Sequence, residues 1–237
     1  MFTFKKHLTP SAFICQQSLG VVTHHPDVSI CLVAFDSAAY RDALFTQLSI
    51  AFPDGLRSAV AKRRADYLAG RYAARQLLQN AGCESAVTIG ADRAPVWPAG
   101  WWGSISHTDK WAIAILAPYR ANLRLGVDIE TLRPEVMREI ATTFTTASER
   151  NLLVTPSLPY ETALLIAFSA KESLFKALYP QVQHIFGFEA ARLCELNPQQ
   201  NRFTLELTMP LAPGLHAGYC IHGDYFFAED SVITLIV

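Results

Sequence analysis

Asp128 and Glu130 are two carboxylates one residue apart in Gly126-Val127-Asp128-Ile129-Glu130. Leu123 to Ile129 reads as a strand, and alternate strand residues share a face. The two acids therefore point together while Leu125, Val127 and Ile129 point the other way. Charges about 7 Å apart repel by about 2 kcal/mol at an effective dielectric near 20, a cost that a bound cation reverses. Oxygen-only ligands suit Mg²⁺, which takes one or two carboxylates and leaves its other positions to water and substrate phosphates. The same pattern also fits a solvated polar face on an edge strand.

Three other stretches carry groups that suit phosphate. Ser169, Glu172 and Lys176 form a narrow polar stripe on a helix expected from about Glu161 to Leu178 and ended by Tyr179-Pro180. That helix is otherwise apolar nearly all round, so the stripe is either a surface ion pair or the side that faces a site. There Glu172 would complete a metal shell or act as base, and Lys176 would neutralise phosphate. On the helix expected over Ser58 to Asn80, with its stop at Gly82, Arg64, Arg71 and Arg75 fall on one side. The guanidinium fork matches phosphate oxygens, and the alternative is a solvated charged face. Ser106 and His107 end the first strand of a hairpin that returns through Trp111 to Leu116, offering a hydroxyl, a backbone N–H and an imidazole.

The remaining elements hold these groups. Val28 to Phe35 reads as a buried strand, and Arg93-Ala94-Pro95-Val96-Trp97-Pro98 belongs to a rigid loop too rich in proline for a helix or central strand. Pro118 to Asn122 is the expected junction of two halves, 1–120 and 121–237. Past it, Leu132-Arg133-Pro134 opens a helix through Phe144, and Thr146-Ala147-Ser148-Glu149 has capping-box spacing, which explains Glu149 structurally first. Strand-like alternation resumes at Arg202 to Thr208, His216 to Phe227 and Val232 to Val237.

The 237 residues are 51% hydrophobic, enough for one large core or two small ones. A net charge of -1 advertises neither nucleic acid nor an acidic membrane, so any basic site is local. Five scattered cysteines without a CxxC pair suggest neither a disulfide framework nor a zinc site. No segment has the apolar length of a signal peptide or membrane span, which makes a soluble cytoplasmic protein the expectation.

RAPVWPAGWWGSISHT (Arg93 to Thr108), GVDIE (Gly126 to Glu130) and FSAKESLFKA (Phe168 to Ala177) together resemble the 4'-phosphopantetheinyl transferases, in the enterobactin synthetase component D subgroup. RRADYLAGRYAARQLL (Arg63 to Leu78) adds a weaker match. The resemblance implies an α+β fold of two similarly folded halves, related by a pseudo-two-fold, with coenzyme A at their interface. It implies transfer of phosphopantetheine from coenzyme A to a serine of an apo carrier protein, a peptidyl or aryl carrier domain of siderophore or other nonribosomal peptide assembly. By position, Asp128, Glu130 and Glu172 would hold Mg²⁺ and Lys176 the pyrophosphate. Arg71, Arg93, Pro95, Ser106 and His107 would hold the nucleotide and its 3'-phosphate. A monomer is expected, since the chain contains both halves. A binding module without transfer is the rival reading, but it would not need both strand acids and Glu172. A nucleotide phosphotransferase of the common kind would need a GxxxxGK[ST] loop, which the sequence lacks.

Overall fold

The computed structural model describes residues 2–7 and 11–237, and the chain divides into two compact units, Met1–Leu123 and Arg124–Val237. Both are mixed α and β, and each is built on a five-stranded sheet.

Unit 1 contains β1 (Phe2–His7), β2 (Ile14–Val22), β3 (His25–Phe35), α1 (Ala43–Gln47) and α2 (Ala61–Asn80). A small β4 (Thr88–Ile89) and β5 (Pro95–Val96) follow, then β6 (Trp101–His107) and β7 (Trp111–Pro118). The sheet runs β1-β2-β3-β7-β6, antiparallel throughout, with α2 laid against β7, β3 and β6. Alanines and Gly70 on the buried face of α2 let the helix lie close to the strands. The helix starts at Ala61 rather than Ser58, because Asp54–Leu56 first forms a separate 3-10 turn. It stops as expected: Gly82, at φ +75°, turns the chain so that its N–H meets Gln79 O and the Cys83 N–H meets Leu78 O. The hairpin of β6 and β7 is present, while β1 and β2 went unanticipated because polar and apolar residues mix along both.

Unit 2 contains β8 (Gly126–Thr131), α3 (Pro134–Phe144), α4 (Ala147–Leu153) and α5 (Tyr160–Val182). These are followed by β9 (Ala191–Asn197), β10 (Arg202–Leu207), β11 (Cys220–Ala228) and β12 (Ser231–Ile236). The antiparallel order is β8-β12-β11-β10-β9, so β8 is an edge strand paired only with β12. Helix α5 crosses β8 and β12, and its apolar residues meet Phe144, Phe203 and Tyr225 in the unit's core.

Several boundaries in this unit differ from expectation, among them the start of β11 at Cys220 rather than His216. Strand β8 begins at Gly126 rather than Leu123. Helix α5 runs through Pro180 to Val182, since a proline in the last turn removes only one intrahelical hydrogen bond. Gln183, at φ +59°, ends the helix with its N–H on Tyr179 O at 2.8 Å. Among the described residues no helix is long and apolar enough to cross a membrane.

Candidate active site

Gly126 is where helix and strand come closest. A Cβ there would lie 1.9 Å from Ser173 O and 2.9 Å from the Ala177 Cβ, so only glycine admits α5 at this distance. One consequence is that the acidic face of β8 is covered. Asp128 is 2% exposed, which rules out a solvated polar face at that position. Its Oδ2 accepts from Ser169 Oγ at 2.8 Å and its Oδ1 from Lys176 Nζ at 2.6 Å.

A run of hydroxyls supports the carboxylate. Thr234, opposite Asp128 in the β8–β12 register, lies 2.9 Å from Ser169 Oγ and 2.6 Å from Ser173 Oγ. With Ser169 donating to Asp128, Thr234 Oγ1 is the donor to Ser169, and the Ser173 hydroxyl lies between Thr234 Oγ1 and the Thr234 carbonyl oxygen, 3.1 Å away. Ser173 and Thr234 were missed in the sequence because each sits among apolar neighbours and their pairing joins distant segments.

Glu130 and Glu172 complete the group. Burial, then the Asp128 charge, then Glu172 push the Glu130 carboxyl up to about 7, against the opposing pull of Lys176 and Arg133. Burial and Asp128 likewise raise Glu172, again with Lys176 opposing. Three carboxylates thus share one ammonium in a half-buried setting. Among the described residues, no three or more His, Cys, Asp or Glu side chains are grouped as a metal-ligand set. By donor chemistry the group nonetheless fits a hard divalent cation, since all its ligands are carboxylate oxygens and their mutual repulsion is what such a cation relieves.

Beside Glu172 opens a largely apolar cavity of about 240 Å³, with Leu174, Phe175, Phe186 and Phe188 among its lining. Ile185 on its rim is 84% exposed. Lys171 is on its wall too, and this residue also escaped the sequence reading. Lys171 Nζ donates to Phe144 O at 2.7 Å and meets Glu149 Oε1 at 2.8 Å. Glu149 in turn accepts from the Leu193 N–H and, through the expected capping box, from the Thr146 N–H, both at 2.7 Å. Burial raises the Glu149 carboxyl, but Lys171 and these two N–H groups outweigh it and hold the carboxyl below its usual value. Glu149 is thus saturated by structural partners.

In unit 1, Arg71 on α2 stacks over Tyr67 at 4.8 Å and donates to Thr88 O at 3.2 Å. It thereby reaches the β4–β5 hairpin, whose exposed turn carries Arg93, at φ +68°, and whose second strand starts at the exposed Pro95. The other two arginines of the stripe serve the fold. Arg64 grips both Asp42 oxygens at 2.8 and 2.7 Å, and Arg75 donates to Leu48 O at 2.7 Å. Ser106, buried, and His107, half-buried, lie at the end of β6, where His107 Nδ1 stands 3.9 Å from Asp66 Oδ2 on α2.

Two families match this chain. One, described as the 4'-phosphopantetheinyl transferase N-terminal domain, covers residues 52–117, and the 4'-phosphopantetheinyl transferase superfamily covers 124–228. Enterobactin synthase component D of Salmonella typhi is 36% identical over 206 residues, 86% of this chain and 84% of the relative. The Escherichia coli K12 protein of the same name is 38% identical over 146 residues, 61% and 68% of the two chains. The 4'-phosphopantetheinyl transferase Svp of Streptomyces mobaraensis is 31% identical over 181 residues, 73% and 72%.

Proposed function

The chain belongs to the 4'-phosphopantetheinyl transferase superfamily, and from that membership we propose that it converts apo carrier proteins of siderophore or other nonribosomal peptide assembly to their holo form. Coenzyme A is the donor, a carrier serine the acceptor, and adenosine 3',5'-bisphosphate the product released. The observation that carries this reading is the group of Asp128, Glu130 and Glu172 around Lys176. A structural ion pair has no need of two extra acids, whereas a phosphoryl-transfer site does.

The serine oxygen forms a bond to the phosphorus of the phosphopantetheine, the bond from that phosphorus to the nucleotide phosphate breaks, and the serine proton must be taken up. Glu172 is the candidate for the last task, its raised proton affinity favouring it over an exposed carboxylate. General-base catalysis contributes on the order of 10²- to 10⁴-fold in such reactions, and Glu172 serves either as this base or as a metal ligand. Lys176 offsets the charge that gathers on the departing phosphate. Asp128 holds Lys176 in place, and Ser169 fixes Asp128. Asp128, Glu130 and Glu172 would hold Mg²⁺, which when bound screens the pyrophosphate and stabilises charge on the leaving oxygen.

The apolar cavity beside Glu172 suits the neutral pantetheine arm, leaving its phosphate end at the acids. Unit 1 supplies nucleotide contacts through Arg71, Arg93, Pro95, Ser106 and His107, in the two-half arrangement with coenzyme A at the interface that the family resemblance implies. The test is intact mass of an apo peptidyl or aryl carrier domain after incubation with the protein, coenzyme A and Mg²⁺, alongside a chelator control. A gain of one phosphopantetheine, only with metal, is expected. No gain on any carrier while coenzyme A still binds would leave a binding module.

A further inference from the structure

Helix α2 is thin where it passes β6: a Cβ on Gly70 would stand 2.9 Å from Ile105 Cγ2. One turn back on the same helix face is Asp66, and two residues along β6, on the same strand face as Ile105, is His107. The close approach at Gly70 therefore sets Asp66 beside His107, at the 3.9 Å already noted between Oδ2 and Nδ1. That is about 1 Å beyond hydrogen-bond range.

Asp66 is an expensive residue to keep there. It is 4% exposed, and its Oδ1 lacks any hydrogen-bond partner among the described residues. Its Oδ2 accepts from Lys62 Nζ at 3.1 Å, but Lys62 is 55% exposed and divides itself with Asp109 Oδ1 at 2.8 Å. The charged groups near the His107 ring include Asp66 and Lys62 from α2 and, across Lys62, Asp109 from the turn after β6. Strand β7, whose Ala112 pairs with His107, has no ionisable side chain. A buried carboxylate oxygen left without a donor is destabilising, and a carboxylate within about 4–6 Å of an imidazole favours its charged form.

We propose that Asp66 is a positioning residue for His107. It draws Nδ1–H towards itself, turns Nε2 outward as the donor to an anionic oxygen, and favours the imidazolium that a phosphate binds best. The inference rests on the reading that His107 meets a phosphate of coenzyme A, and its test separates the two. The His107 titration midpoint is followed by NMR in the full chain without ligand, for the wild type, Asp66→Asn and Lys62→Met. Asp66→Asn is expected to lower the midpoint by on the order of one pH unit. Lys62→Met, which removes the competing ammonium from an exposed position, should raise it. Coenzyme A turnover then gives the second readout. In Asp66→Asn the KM for coenzyme A should rise several-fold, with a smaller fall in kcat, and Asp66→Glu should restore it. A midpoint unmoved in both variants overturns the inference. A midpoint that moves while His107→Ala leaves the coenzyme A KM unchanged supports the pairing and removes His107 from the phosphate site.

Discussion

Lys171 and Lys176 leave α5 little more than one turn apart, and each meets a buried carboxylate, Glu149 for the first and Asp128 for the second. Around Lys171 the donors and acceptors close: Glu149 takes the ammonium, the Thr146 and Leu193 N–H groups and the Thr146 hydroxyl, and the remaining ammonium protons go to Phe144 and Phe188 carbonyls. Around Lys176 three carboxylates gather instead of one, and burial and the Asp128 charge raise Glu130 and Glu172 against the pull of Lys176 and, at Glu130, of Arg133. The first pair ties α3, α4, α5 and β9 together. In the function proposed above, the repulsion around the second is what a ligand would relieve. A balanced buried pair marks structure, and an unbalanced one beside it marks chemistry.

The largest effect expected from this contrast is on stability. Glu149→Ala leaves the Lys171 ammonium buried against carbonyls alone, and should cost about 3–5 kcal/mol in urea unfolding. A cost below about 1 kcal/mol, the range of an exposed pair, would erase the distinction. Next comes activity: Asp128→Asn keeps an acceptor for Ser169 but removes the charge that holds Lys176, and should lower transfer on the order of 10²- to 10³-fold. Asparagine is the better probe than alanine here, because burial of Asp128 makes truncation a packing change as well.

Smaller and opposite in sign are the pH dependences. The Glu149 carboxyl sits below its ordinary value near 4.5, so its stabilisation is present above that value and lost as pH falls through the folded one. Glu130, raised to about 7, favours the fold fully below 4.5 and loses that contribution as pH rises through about 7. Urea unfolding in metal-free buffer from pH 4.5 to 7.5 should therefore show the wild type losing more stability than Glu130→Gln. Parallel curves would remove Glu130 from the repelling group. The smallest effect calibrates the rest. Tyr225 is fully buried with no partner for its hydroxyl among the described residues, so Tyr225→Phe should change stability by less than about 1 kcal/mol or raise it slightly.

What could be read from the sequence follows distance along the chain. The capping box of Thr146 and Glu149 and the hairpin of β6 and β7 are local patterns, and each is present. The stripe of Ser169, Glu172 and Lys176 is a helical spacing, and all three residues lie around Asp128. Lys171 was invisible because periodicity assigns its side of α5 to the core, where an ammonium is tolerated only through a carboxylate on another helix. Asp66 was invisible for the same reason, since its neighbour on β6 follows from the close passage at Gly70. Strand β9 alternates buried and exposed residues, but a register shift where it pairs with β10 breaks the pattern midway. The arginine stripe was read correctly as a stripe, yet only tertiary partners reveal that Arg64 and Arg75 tie α2 to Asp42 and Leu48.

The most direct test joins both halves of the contrast in one variant. Glu172→Gln removes one of the mutually repelling acids without shortening the side chain, and its melting temperature and rate of carrier modification with saturating coenzyme A and Mg²⁺ are measured on the same preparation. The unbalanced group predicts a melting temperature in metal-free buffer equal to or above that of the wild type, with transfer reduced on the order of 10²-fold or more. Transfer at the wild-type rate, or a protein that melts well below the wild type, would contradict the assignment of these acids to chemistry rather than to the fold.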